Sequence, residues 1–169
     1  MSKWTRYQLL IIIALASLLV ANNMFKVQVA ELFSFVGTFI APSFIIIFFS
    51  VVLVIWGFSF ILLLQEKKGK PLFVHKIWRI MPAIMVIVLF VSVVIFVALG
   101  VTVFSDLNDN MKWVLDILIV YFLVNFYLLI LSLIIRYGKS EASERIITKS
   151  ANTSVIILFV IIFFIPLLA

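Results

Sequence analysis

Residues 80–104 read IMPAIMVIVLFVSVVIFVALGVTVF, without one charged side chain. A helix of about 20 apolar residues is long enough to cross the roughly 30 Å hydrocarbon layer of a bilayer. Polar and apolar residues do not alternate here, as they would in a strand of a membrane barrel. Nor do they alternate in VIILFVIIFFI at 155–165. In hydrocarbon, backbone N–H and C=O groups must bond within their own segment, so the helix is the form to expect.

The same texture recurs on both sides of this run. Apolar stretches lie at about 8–21, 38–64, 80–104, 113–135 and 153–168. Of the 169 residues, 66% are hydrophobic and 12% charged, with a mean hydropathy of +1.37. A soluble domain has roughly 25% charged residues, so this chain has too few polar side chains to cover a surface in water. The sequence therefore predicts an all-α integral membrane protein, a single polytopic domain over 1–169 with five transmembrane helices.

Two segments need a closer reading. Lys3 and Arg6 precede a short apolar core, which is also the pattern of a signal peptide. A cleavage site needs small residues just before the cut, and a cut after Ala21 would set Leu19 in one of those places. A retained anchor is therefore expected. Residues 32–64 are uncharged but too long for one upright span, since at 1.5 Å per residue they would reach roughly 50 Å. Pro42 offers a break. Upstream of it, Phe25, Val29, Leu32, Phe33, Val36 and Ile40 recur at helical spacing with Lys26, Glu31, Ser34 and Thr38 between them. This amphipathic pattern predicts an interfacial helix over about 24–37; a re-entrant segment is the alternative.

Charge fixes the expected orientation. Residues 65–79 read QEKKGKPLFVHKIWR, gathering Lys67, Lys68, Lys70, Lys76 and Arg79. Lysine and arginine accumulate on cytoplasmic loops. With five spans and the N-terminus inside, all but Lys26 and Lys112 of the 13 cations fall inside, while the outer loop SDLNDNMK carries Asp106 and Asp109. The protein is expected in a plasma membrane, a bacterial inner membrane, with Ala169 at the outer face. The five clustered cations are candidates for contact with anionic headgroups on the cytoplasmic side, each worth about 1 kcal/mol, or with a partner. Pro71 could open a short surface helix there, turning Leu72, Val74, Ile77 and Trp78 to lipid. Because the charges alternate with apolar runs, nucleic acid is not an expected partner.

Lipid removes the hydrophobic drive between helices, so small residues and polar contacts decide their association. Ser43, Ser50 and Gly57 repeat every seven residues in the second span, and Ala14, Ser17 and Ala21 form a stripe on the first. These two faces are expected to pair. In the fourth span Asn125, with Tyr121, Leu128 and Ser132 on its side, is expected to bond a neighbouring helix or to line a polar path. The fifth helix is expected to start near Ser140, where Ser140 can cap and Glu141 and Glu144 suit the first turn, and to run to about Ile165. Its stretch 155–165 has no small or polar residue and suits lipid or a broad apolar partner.

Little reactive chemistry is present. There is no cysteine, His75 is the only histidine, and no hydrolase, nucleotide-binding or metalloprotease motif occurs. Asp116 is the only acidic residue within a span, one turn from its end. No cofactor, metal site or catalytic residue is expected. In composition the chain resembles small, motif-poor polytopic proteins of bacterial inner membranes. That resemblance implies an accessory subunit, an assembly factor or an immunity-type protein, and assigns no residue a role. The expected function is non-enzymatic: helix–helix contact with another membrane protein or with further copies of the chain. The alternative is a small transporter or homo-oligomeric channel, and an interfacial lipid enzyme relying on His75 or Glu66 ranks third.

Overall fold

The computed structural model describes residues 3–24, 42–68, 73, 76–102, 113–138 and 142–168, and every regular element among them is helical. In chain order these are α1 (Lys3–Met24), α2 (Pro42–Glu66), a 3-10 turn (Lys76–Arg79), α3 (Met81–Thr102), α4 (Trp113–Tyr137) and α5 (Ser143–Leu168). Four of them carry stretches long and apolar enough to cross a membrane: Ile47–Glu66, Met81–Gly100, Val114–Tyr137 and Ser143–Phe164. The interfacial helix expected over about 24–37 lies outside the described residues, except for Met24, which ends α1. The surface helix expected after Pro71 lies largely outside them too; its described part is the 3-10 turn.

The helix ends follow local chemistry. Pro42 opens α2, where its fixed φ suits the first turn and its missing N–H leaves no bond unmade. Pro82 stands second in α3, among N–H groups that have no partner within the helix. α1 starts at Lys3, earlier than the apolar pattern implied, because no glycine or proline interrupts Lys3–Met24. Polarity there marks where hydrocarbon would end, and the backbone continues through it. α5 begins at Ser143, three residues later than Ser140: Ala142 is not helical, and its carbonyl takes the first bond, from the Ile146 N–H at 3.1 Å. The helix then continues beyond Pro166 to Leu168, since a proline in the last turn removes little.

α2, α4 and α5 pack on one another, with α1 against the outside of α2 and α3 against α4. The buried cluster joins Val51, Val54 and Ile55 of α2 to Leu123, Tyr127 and Leu131 of α4 and to Ile146 and Ala151 of α5. Successive helices run antiparallel. Gln8 meets Gln65, Ser92 meets Tyr121, and Phe48 of α2 touches Phe159 and Phe163 of α5 edge-on at 5.4 and 5.5 Å. As a result every described lysine and arginine lies at the end of the bundle where α2 stops and α3 starts.

Candidate functional site

A bundle this apolar holds few polar side chains, and their partners show what they can do. Ser132 Oγ donates to the Leu129 carbonyl at 2.8 Å, and Ser150 Oγ to the Ile146 carbonyl at 2.7 Å. Asn125 Nδ2 donates to the Tyr121 carbonyl at 2.8 Å. All three bonds close within one helix. The Asn125 amide donates back to its own turn and not, by this bond, across to a neighbour.

At the centre Tyr127 is completely buried, packs edge-on against Phe58 at 5.7 Å, and reaches the Ile147 carbonyl of α5 at 3.5 Å. Ser59 lies beside its hydroxyl, within reach of it, whereas Ser154 Oγ has no hydrogen-bond partner among the described residues. Ser150, Ala151 and Ser154 are all fully buried, so α5 meets its neighbours through a face of small side chains. Sequence reading missed this face because Ser150 and Ala151 were assigned to the cytoplasmic start of the helix and Ser154, at the edge of the 153–168 span, was not singled out. The small-xxx-small spacing of Ser150 and Ser154 was the signal available.

α1 and α2 do pack together. A Cβ placed on Gly57 would stand 2.8 Å from both Leu15 methyls, so the absence of a side chain there is what admits α1. Ser50 is half-buried, but Ala14 and Ser17 are exposed, and the side chains of Ala21 and Ser43 lie outside those described. The side of α1 that meets α2 is therefore that of Gln8 and Leu15, not the Ala14–Ser17 stripe. Gln8 Nε2 donates to the Ile61 carbonyl and to Gln65 Oε1, each at 3.1 Å, while Lys68 Nζ donates to Gln8 Oε1 at 2.5 Å. The amide thus clamps the basic ends of the two helices.

The outward polar feature lies between α3 and α4. Ser92 Oγ and the Tyr121 hydroxyl share a 2.8 Å hydrogen bond in an open cleft of about 200 Å³. Tyr121 is 42% exposed, and its ring meets Phe122, which meets Phe96 edge-on at 5.7 Å. Asn125 and Ser132 are buried, so the three residues expected on one stripe divide between an outward Tyr121 and two inward partners. α3 is otherwise nearly uncovered: among its described side chains only Pro82 and Met85 are buried, and Phe90 is 70% exposed.

Among the cations, Lys67 stands 5.8 Å from the Trp4 ring and Lys68 holds Gln8, whereas Lys76 and Arg79 face Arg136 across a separate cleft. Lys70 and His75 lie outside the described residues. Asp116 sits half-buried in the first turn of α4, where a carboxylate suits the helix dipole. Among the described residues no three potential metal ligands come together. No protein-family model matches the chain, and no curated protein or solved structure matches it.

Proposed function

We propose that this chain is a small, non-enzymatic, multi-pass protein of a bacterial plasma membrane. It acts by lateral helix contact with another membrane protein, as an accessory subunit, assembly factor or immunity-type protein does. In this reading five helices cross the bilayer, with the N-terminus and the basic turns in the cytoplasm and Ala169 at the outer face. The gathering of every described lysine and arginine at one end supports that orientation.

The observation that carries the docking reading is α3 with its cleft. The helix leaves almost its whole apolar surface uncovered, and its Ser92–Tyr121 hydroxyl pair opens outward at mid-length. A hydroxyl pair facing hydrocarbon gains from a partner that offers a further donor or acceptor. Photo-cross-linking from benzoylphenylalanine at Phe90, in native membranes, tests this. A discrete adduct with one other membrane protein is expected; adducts with lipid alone refute lateral docking. Tags near Gly69 and at the C-terminus test the topology separately and must report opposite compartments.

A homo-oligomeric channel has less support, because a ring built from this stripe needs Tyr121, Asn125 and Ser132 on one wetted surface, and two of the three are buried. Ion flux through purified protein in liposomes, lowered by Tyr121→Phe, would restore it.

A further inference from the structure

The cations at the basic end do not form one patch. Lys67 and Lys68 turn toward α1. Lys76 and Arg79 belong to a segment that folds back on α4: Phe73 meets Trp78 edge-on at 5.2 Å, and both pack against the buried cluster. This docking sets Lys76 and Arg79 beside Arg136 around an open cleft of about 440 Å³. Tyr137 stands at its edge, 73% exposed, with the Arg136 guanidinium 5.8 Å from its ring centre. Among the described residues no acidic side chain lines the cleft.

The helix dipole accounts for Arg136 in the last turn of α4. It does not account for two more cations brought to the same place by an aromatic anchor. Like charges held together repel one another, and a bound anion relieves that repulsion. Two guanidiniums offer paired N–H donors that match phosphate oxygens, and Lys76 adds a point charge. Trp and Tyr beside them are the side chains that settle at headgroup depth. Next to the cleft, Ile80, Ile84 and Ile87 share one exposed apolar face of the α3 start.

We infer that Lys76, Arg79 and Arg136 bind the phosphate group of an anionic phospholipid, whose acyl chains lie along Ile80, Ile84 and Ile87. A free phosphate offers the same oxygens, but it leaves that apolar wall with no ligand atoms against it. The continuity of cationic rim and apolar wall therefore favours the lipid. Basic pockets between helices at one membrane face are a recurrent form of headgroup site.

The full-length protein in nanodiscs of mixed phosphatidylglycerol and phosphatidylcholine tests the site, with retained lipid read by native mass spectrometry. A direct charge-assisted contact to a phosphate oxygen exceeds the diffuse attraction that every cation at this end exerts by about fivefold. Lys76→Gln, Arg79→Gln and Arg136→Gln together are expected to lower the phosphatidylglycerol preference by on the order of 100-fold. The control removes the same charge from the same end through Lys3→Gln, Arg6→Gln and Arg145→Gln, and keeps most of the preference. Equal losses in the two triple variants show diffuse attraction and overturn the site, as does no loss in either. Displacement of the lipid by excess inorganic phosphate overturns the assignment to a lipid. A second readout keeps all three cations: benzoylphenylalanine at Tyr137 should yield phosphatidylglycerol adducts above that lipid's mole fraction, and adducts at the mole fraction refute the inference.

Discussion

Gly57→Ala is the most direct probe of how α1 is held. The added methyl carbon would lie 2.8 Å from Leu15 Cδ1 and Cδ2 and 3.1 Å from Cγ, where ordinary contact begins near 3.4 Å. All three atoms belong to one flexible side chain that is only half-buried, so Leu15 yields by leaving its rotamer, at about 0.5–1.5 kcal/mol. Against this, alanine in a helix interior gains about 0.5–1 kcal/mol over glycine. The single variant should therefore sit within about 1 kcal/mol of the parent, which alone proves nothing. The informative quantity is the double-mutant cycle with Leu15→Ala. Once Leu15 is shortened the clash disappears, and Gly57→Ala should stabilise by the whole helix-propensity gain. The coupling is thus about 0.5–1.5 kcal/mol. Steric trapping in bicelles, or reversible unfolding in mixed micelles, measures all four proteins. Additivity within about 0.3–0.5 kcal/mol would mean that Gly57 and Leu15 do not touch, and would refute the α1–α2 contact as described.

The hydroxyl without a partner gives an opposite sign. Ser154→Ala removes a buried oxygen that bonds to nothing among the described residues, so it should leave stability unchanged or raise it by up to about 1 kcal/mol in the same unfolding assay; a loss of stability would reveal a bond. Gln8→Leu removes both donations and the acceptor for Lys68, and should cost about 0.6–1.7 kcal/mol, read as reduced disulfide trapping between cysteines introduced on α1 and α2 of this cysteine-free chain. Gly138→Ala places a Cβ 2.6 Å from the Ile134 carbonyl oxygen, a rigid backbone atom, and should destabilise the end of α4 by about 1–3 kcal/mol; hydrogen exchange at Arg136 and Tyr137 should rise with it. Tyr121→Phe should cost about 0.6 kcal/mol through the bond to Ser92, and under the docking proposal should also weaken the Phe90 cross-link.

The long apolar runs made the helices legible, since nothing but a helix can satisfy so much backbone without side-chain help. Pairing of α1 with α2 was legible as well, from Gly57, but the contacting face of α1 was not. Small size marked Ala14 and Ser17, whereas the structure uses Gln8, whose length lets it reach Ile61 and Gln65 from the helix end. A sequence shows which residues permit close approach, and rotation about the helix axis is set by the longer side chains that bridge the ends. Asn125 misled for a related reason. An amide in an apolar span needs a partner, yet the carbonyl one turn back is always within reach and asks for no precise helix placement. Arg136 was counted as a loop charge; its place beside Lys76 and Arg79 follows only from the fold-back of Phe73 and Trp78 onto α4.

These choices bear on which helix can move. If lipid surrounds the bundle, burying Val or Ile against another helix gains little, and attachment depends on close fit and polar contacts. α2, α4 and α5 have the close fit, through the buried Tyr127 and the small buried side chains of Ser59, Ser150, Ala151 and Ser154. α1 has the Gly57 notch and the Gln8 clamp. α3 shows the Ser92–Tyr121 bond, the Phe96–Phe122 edge contact and its junction with the 3-10 turn. It is therefore the helix whose position a competing partner could shift at the least cost, and the helix that a bound lipid at its foot would do most to fix. Under both proposals, replacing anionic lipid with zwitterionic lipid should broaden spin-label distances from α3 to α4 while leaving α2-to-α5 distances narrow. Equal broadening of both pairs would show that the bundle loosens as a whole and that α3 has no independent freedom.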